Sequence, residues 1–193
     1  AEDLWRASRA DEALETVAGL PDSDPDARAL RARIAVDRQD LDRARDLLVE
    51  GSVEHAGLDA LRGRMALLEG DPKKALDFLE RANAAEPGVR KTIAELGRAY
   101  LLAGRGEQAR PFLEQAARID ALDNLLLTTE PRSSAGRSEL GPDDWRKLAA
   151  ACEQAGRLPE ARAWLTLLVT RDPLDREAQR SLRHLKEKAR PTP

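Results

Sequence analysis

Two stretches of the chain repeat one order of glycine, alanine and apolar residues: Gly63–Pro87, GRMALLEGDPKKALDFLERANAAEP, and Gly97–Ala121, GRAYLLAGRGEQARPFLEQAARIDA. In each stretch apolar residues recur every three or four positions, which is the spacing of an amphipathic helix. A break containing glycine interrupts this spacing, because glycine can end one helix and Pro72 suits the first turn of the next. Each stretch therefore predicts two antiparallel helices joined by a short turn.

The same break recurs in Asp37–Ala44, where it lacks glycine, and in Gln154–Ala161. Aligning the breaks places an alanine at one equivalent site of every second helix, namely Ala13, Ala44, Ala75, Ala109 and Ala161, at intervals of 31, 31, 34 and 52 residues. The matching site of the first helix is also small: Ala32, Gly63, Gly97 and Ala149. Small residues on both helices allow the two backbones to approach closely. The last interval is 18 residues longer than the one before it, which indicates an insertion.

The composition agrees with a helical repeat. Of the 193 residues 35 % are charged and only 3 % are aromatic. Alanine, leucine, arginine and glutamate favour helix, whereas the residues typical of sheets are scarce. A formal net charge of −3 argues against general nucleic-acid binding, which needs a basic surface. No apolar run is long enough to span a membrane, and Cys152 has no second cysteine with which to pair.

These residues resemble the tetratricopeptide repeat (TPR), a helix-pair unit of about 34 residues. Segments 56–89, 90–123 and 142–175 carry its small residue on the first helix, its turn glycine and its alanine on the second. The resemblance implies an all-α fold, a right-handed superhelix (α-α solenoid) of stacked antiparallel helix pairs with a C-terminal capping helix. Segment 25–55 departs from the pattern, because Arg31 stands where leucine is usual and its second helix stops early.

We expect a single solenoid domain over residues 1–190. Its parts are a partial unit 1–24, units 25–55, 56–89, 90–123 and 142–175, an inserted loop 124–141, a capping helix 176–188 and a tail 189–193. The chain starts partway into a repeat, which indicates a segment of a longer protein. The insertion, with a short helical start at 125–127, is interpreted either as a tolerated excursion or as a lid beside the binding surface.

The sequence carries no enzyme signature: it lacks a phosphate-binding glycine loop, a GxSxG elbow, an HExxH motif and paired cysteines. We therefore expect no catalysis, no cofactor and no metal. His55 and His184 are far apart in the repeat array, and Cys152 occupies a position that is normally a small core residue. Trp145 matches the packing tryptophan of the repeat, and Trp5 and Trp164 are interpreted as packing residues too.

Function is then expected from the surface. In the TPR family the first helices line a concave groove, and the resemblance assigns to it Arg33, Val36, Arg64, Leu67, Leu68, Lys91, Arg98, Leu101 and Leu102. A row of arginine beside aliphatic side chains suits a peptide that carries carboxylates and apolar residues. Arg33 and Arg98 have acids at helical spacing, Asp37 and Glu95, which could pair with them instead. Arg64 has no such acid on its own helix and is the predicted anchor.

The predicted function is a non-catalytic protein–protein interaction module, an adaptor or scaffold that binds a peptide or partner protein in the groove. Two alternatives stay open: an assembly module that uses the N-terminal end or the convex face, and a domain that recruits substrates for an enzyme encoded elsewhere in the same chain. The richness of the repeats in arginine and alanine and their short turns resemble bacterial sequences. The compartment stays open between the cytoplasm and, if a signal peptide has been removed, the periplasm.

Overall fold

The computed structural model describes residues 9–21, 23–49, 54–129 and 140–188. Within these ranges the chain forms ten helices and no strand, which confirms the all-α prediction. We number the helices α1 Ala10–Val17, α2 Pro25–Asp37, α3 Leu41–Leu47, α4 Ala56–Leu68, α5 Pro72–Ala85, α6 Arg90–Leu102, α7 Gly106–Thr129, α8 Pro142–Gln154, α9 Leu158–Arg171 and α10 Arg176–Lys188.

The chain divides into two compact units, residues 1–113 and 114–193, and the division falls within α7. The repeat boundaries and the single domain proposed from the sequence stay predictions. Trp5, most of the inserted loop (130–139) and the tail (189–193) lie outside the described residues. At the start of that insertion α7 runs on to Thr129, so the helix enters the inserted segment further than the three residues expected at 125–127.

Each first helix ends in the same left-handed turn. The backbone angle φ is +78° at Gly70, +75° at Gly104 and +79° at Gly156, a conformation that glycine adopts without steric cost. Where the glycine is absent, Gln39 takes the same conformation with φ of +62°. One equivalent backbone hydrogen bond closes all four turns: Asp40 N–H to Ala35 O (3.0 Å), Asp71 to Ala66 (2.9 Å), Arg105 to Tyr100 (2.9 Å) and Arg157 to Cys152 (2.8 Å).

The recurring alanines lie in like surroundings. Five of them, Ala13, Ala44, Ala75, Ala109 and Ala161, are each 0 % exposed. Opposite Ala75 the first helix carries Gly63, where an added Cβ would lie 2.4 Å from Leu79 Cγ and 3.2 Å from the Ala75 carbonyl oxygen. The two backbones of this pair are therefore as close as a glycine permits, which is the arrangement that the spacing predicts.

In the first unit α2, α4 and α6 are first helices that lie side by side, with α2 against α4 and α4 against α6. The second helices α3 and α5 pack on them, α3 on α2 and α5 on both α4 and α6. Apolar side chains fill the space between, in clusters centred on Leu58 and Met65 and on Leu79 and Leu96. The outer surface of α2, α4 and α6 is called the first-helix face below.

Two arginines from neighbouring first helices cap the C-terminal end of the short second helix α3. Arg28 and Arg62, only 9 % and 7 % exposed, donate to the carbonyl oxygens of Leu47, Leu48 and Val49. Asp59 holds Arg62 at 2.8 Å and Arg81 at 3.1 Å. Since a buried carbonyl without a donor is costly, these bonds explain how the array accommodates a repeat whose second helix stops early.

In the second unit α9 packs against α8 and α10. Helix α10 covers α9 with Leu185, which is 0 % exposed, and with the half-buried Leu182, and it turns its arginines and lysines outward. Asp175 caps its first turn by accepting from the backbone N–H groups of Glu177 (3.1 Å) and Ala178 (2.9 Å). The other oxygen of the same carboxylate pairs with Arg146 of α8 at 2.7 Å.

The close approach at Gly63 predicts that Gly63→Val lowers the free energy of unfolding by about 2–3 kcal/mol, because the fully buried Leu79 cannot move away. The matched control is Gly106→Val, since a Cβ at Gly106 meets nothing within 4 Å. Urea unfolding followed by far-UV circular dichroism measures both. Equal effects of the two substitutions would contradict the close-packed pair.

Asp175 predicts a dependence of stability on acid. The Ala178 N–H and then Arg146 hold the pKa of this carboxyl below its ordinary value of 3.8. A depressed pKa means that the stabilisation is complete above pH 3.8 and is lost as the pH falls below that value. We therefore expect Asp175→Asn to be less stable than the wild type at neutral pH, with a difference that shrinks in acid. The exposed Asp77→Asn is the control, and a constant difference at all pH values would refute the cap.

Candidate functional site

The first-helix face of the first unit carries two adjoining cavities. One has a volume of about 420 Å³ and is lined by Arg33, Arg64, Lys91 and Glu95, and the other has a volume of about 490 Å³. Both are lined by Arg33, Gly57 and Glu86, so they form one groove along α2, α4 and the start of α6. The groove thus contains several cations predicted for the site, together with acids that the prediction did not include.

Arg64 is not the free anchor that the sequence predicts. Its Nη1 lies 2.6 Å from Asp37 Oδ1 of α2, and its Nε lies 3.7 Å from Glu95 Oε1 of α6. Nη1 makes no hydrogen bond to any residue that the structure describes, so the contact with Asp37 is ionic without aligned N–H geometry. The prediction was wrong because it considered only acids on the same helix, whereas both partners come from neighbouring first helices. Arg64 is an ionic brace across three helices.

Two further charged groups adjoin this brace. Burial raises the pKa of the Glu95 carboxyl above its ordinary value of 4.5, although Lys91 and Arg64 act in the opposite direction. Burial and then the charge of Arg64 lower the pKa of Lys91. Burial thus disfavours the charged form of the cation Lys91 and of the acid Glu95 alike.

Arg98 has surroundings unlike those of Arg64. It is exposed, and it forms no ion pair with any residue in the described part of the chain. Leu101 and Leu102, three and four positions further along α6, are 51 % and 55 % exposed, and Leu68 at the end of α4 is 55 % exposed. The charge of Arg98 acts on Glu95, three positions earlier on α6, without forming an ion pair with it. An exposed arginine without an ion pair thus lies on the same helix face as large apolar side chains that contact water.

The remaining predicted residues are only partly on the surface. Val36 is 3 % exposed and packs in the core with Ala32 and Leu58, so its assignment to the groove was wrong. The close packing of α4 on α2 buries this side chain. Leu67 is half-buried against the core, and the half-buried Arg33 lines both cavities.

The two histidines make only local contacts within the described part of the chain. His55 caps α4, because its Nδ1 accepts from the Leu58 N–H at 3.3 Å while Nε2 lies 3.0 Å from Asp26 Oδ1. His184 Nε2 is 3.9 Å from Glu153 Oε1. Among the residues that the structure describes, no group of three or more histidine, cysteine, aspartate or glutamate side chains could hold a metal ion.

Cys152 and two tryptophans occupy packing positions in the second unit. Cys152 is 3 % exposed, and burial raises the pKa of its thiol. Trp145 is half-buried beneath the Arg171 guanidinium, which lies 5.6 Å from the ring centroid, and Trp164 is half-buried. In the described part of the chain no helix has the length and apolar character needed to cross a membrane.

The sequence analysis did not name Glu86, and it considered Asp37 and Glu95 only as partners of Arg33 and Arg98. Their pairing with Arg64 could have been found by comparing charges across consecutive repeats. Asp37 at the end of one first helix, Arg64 in the middle of the next and Glu95 in the third form a diagonal row. Such a row is invisible when each helix is searched by itself.

The helix pairs, their shared turn and their buried alanines define the chain as a helical-repeat protein. Two family models match it, and both describe a tetratricopeptide repeat, one over residues 66–128 and the other over residues 25–50 and 146–165. The chain belongs to the tetratricopeptide-repeat family. Such repeats are typically non-catalytic, and the chain is a protein–protein interaction module in this general sense.

Solved structures of MamA AMB-1 in two crystal forms are similar to the chain at 17 % and 16 % sequence identity. The matches cover 83 % of this chain in each case and 86 % and 80 % of those chains, with TM-scores of 0.44. No curated protein matches the chain.

The raised pKa of Glu95 predicts how stability depends on pH at the brace. A raised pKa means that folding favours the protonated acid, so the wild type loses stability as the pH rises above 4.5. We expect Glu95→Gln to gain stability relative to the wild type between about pH 4 and pH 7, because glutamine cannot ionise. Urea unfolding at both pH values measures the difference, with the exposed Glu15→Gln of α1 as the control. A relative loss at neutral pH would show that the pair with Arg64 outweighs the burial.

Proposed function

We propose that the first-helix face binds an extended or helical segment of a partner protein that carries a carboxylate next to apolar side chains. Arg98 is the anchor for the carboxylate, and Leu68, Leu101 and Leu102 receive the apolar side chains. The single observation that carries the proposal is the exposed Arg98 without an ion pair beside leucines that are half exposed.

The repeat itself suggests what Arg98 lacks. In the preceding pair of first helices, Asp37 at the end of α2 supplies a carboxylate to Arg64 of α4 at 2.6 Å. One repeat later the residues at the equivalent sites are Leu68 at the end of α4 and Arg98 of α6. Leucine therefore replaces the internal acid, and a partner's carboxylate would take the place that Asp37 has in the repeat before.

The groove beside α4 supports the same chemistry. Arg33, Arg64 and Lys91 line its cavity together with two acids, Glu86 and Glu95. Three cations beside two acids leave room for a second carboxylate of the partner. Because Arg64 is already paired with Asp37 and Glu95, it contributes less to such binding than Arg98 does.

The two kinds of contact differ in what they contribute. Arginine binds a carboxylate with two parallel hydrogen bonds, which fixes the direction of the bound segment. Burial of the leucines supplies about 25 cal/mol for each Å² of apolar surface removed from water. Because the arginine contact is exposed, its contribution falls with salt, whereas the apolar part does not.

The proposal predicts that Arg98→Glu weakens binding of a matching peptide at least about tenfold, since the anchor then repels the carboxylate. Dodecapeptides displayed on phage and selected on the wild-type protein supply the probe, and the selected sequences should combine aspartate or glutamate with leucine-like residues. Fluorescence anisotropy of one selected peptide compares the variants.

Lys73→Glu is the matched control, because it makes the same charge change on the exposed surface of α5. Arg64→Glu should weaken binding less than Arg98→Glu does. Unchanged binding by Arg98→Glu, or selected peptides without acidic residues, would refute the proposed site.

A further inference from the structure

Helix α9 carries an uncharged central stretch, flanked by the exposed Arg162 and Arg171, in a chain where 35 % of all residues are charged. Its residues 163–170 read AWLTLLVT and contain no charged side chain. The corresponding second helix α5 has a different exposed surface, with Lys73, Asp77, Glu80 and Arg81. Solubility favours charged residues on an exposed helix surface, so it does not explain the uncharged stretch of α9.

The exposed and buried residues of α9 lie on opposite sides. Ala161, Leu165 and Leu168 are at most 6 % exposed and form the inner side. The outer side consists of exposed residues at helical spacing, namely Ala163, Thr166, Leu167 and Thr170, and is called the α9 face below. Leu167 is 45 % exposed, and Leu174 in the following turn is 86 % exposed. Large apolar side chains thus contact water on and beside the α9 face.

The two threonines do not make this surface polar. Thr166 donates its hydroxyl to the Arg162 carbonyl oxygen at 2.7 Å, and Thr170 donates to the Thr166 carbonyl oxygen at 2.8 Å. Both hydroxyl donors are satisfied within the helix, so covering the surface leaves no hydroxyl donor unpaired. Alanine and threonine are also small, which lets another helix approach closely.

The four positions of the α9 face are spaced evenly about a midpoint between Thr166 and Leu167. In two copies that pack antiparallel about this point, Ala163 of one copy lies against Thr170 of the other, and Thr166 lies against Leu167. The flanks match as well, because Glu160 before the face and Arg171 after it lie on the same side of the helix. Antiparallel packing places Glu160 of one copy beside Arg171 of the other, and it does so twice.

We propose that the α9 face binds a second copy of this chain, with the two α9 helices antiparallel and in contact at Thr166 and Leu167. The argument for a second copy rests on this self-complementary charge. Glu160 and Arg171 are exposed, and neither forms an ion pair with a described residue of its own chain, while the Arg171 guanidinium lies 5.6 Å from the centroid of the Trp145 ring. A partner with an unrelated sequence would not need that symmetry. The interface uses no residue of the first-helix face.

Sedimentation equilibrium over a range of protein concentrations tests the proposal. The wild type should show a monomer–dimer equilibrium, and Leu167→Glu should raise the dissociation constant at least about tenfold by burying an unpaired charge. Leu127→Glu is the matched control, because Leu127 is 63 % exposed on α7. A wild type that stays monomeric up to the highest soluble concentration, or equal effects of the two substitutions, would overturn the proposal.

Charge exchange tests the antiparallel arrangement. Glu160→Arg alone should weaken the dimer because it faces Arg171 of the other copy, and the double variant Glu160→Arg with Arg171→Glu should restore it. A double variant that is as weak as the single one contradicts the pairing.

Disulfide formation tests the register independently. Thr166→Cys should link to itself on mild oxidation, since it lies at the midpoint, whereas the wild type should not link because Cys152 is 3 % exposed. Ala163→Cys should link to Thr170→Cys in a mixture but not to itself, because its own counterpart lies roughly 10 Å further along the helix. Ready self-linking of Ala163→Cys would show parallel helices and overturn the proposal.

Discussion

The close contact between the two helices of each pair is the constraint on which the structure depends. At Gly63 and Ala75 the backbones approach so closely that an added Cβ would overlap Leu79. This contact needs a sharp turn between the helices, which the left-handed residues Gly70 and Gln39 provide in their respective repeats. Once the small residues and the turn are fixed, the exposed positions are free to vary, and function can change without a change of fold.

Variation at those exposed positions makes the two charged parts of the first-helix face different. Around Arg64 the protein supplies its own carboxylates from the helices on either side, and the arginine serves the stacking of repeats. Around Arg98 the equivalent acid is Leu68, and the arginine faces water. One substitution in a repeated pattern thus leaves Arg98 without the acid from the preceding first helix that Arg64 has. Exposure of the neighbouring leucines is consistent with this difference.

The sequence was sufficient for the fold because the residues that determine it are local. Ala44, Ala109 and the turn at Gly104 act within one helix pair, and their spacing can be counted along the chain. The site could be predicted only in outline, because the partners of Arg64 are distant in sequence, and a search along one helix omits them. Val36 shows the same limit: the resemblance to the TPR family placed it on the groove, but the packing of the next first helix buries it.

The two proposed surfaces belong to different classes of helix, and this separation has a physical basis. First helices in the first unit pack on one another, so their charges fall into rows that pair internally, as with Arg64, or stay exposed, as with Arg98. A second helix such as α9 turns its outer side away from the helices that it packs against, so its exposed composition is not constrained by the stacking. Charged residues would ordinarily occupy such a side. Their absence from Ala163 to Thr170, together with matched charges at Glu160 and Arg171, is therefore better explained by contact with another molecule than by the fold.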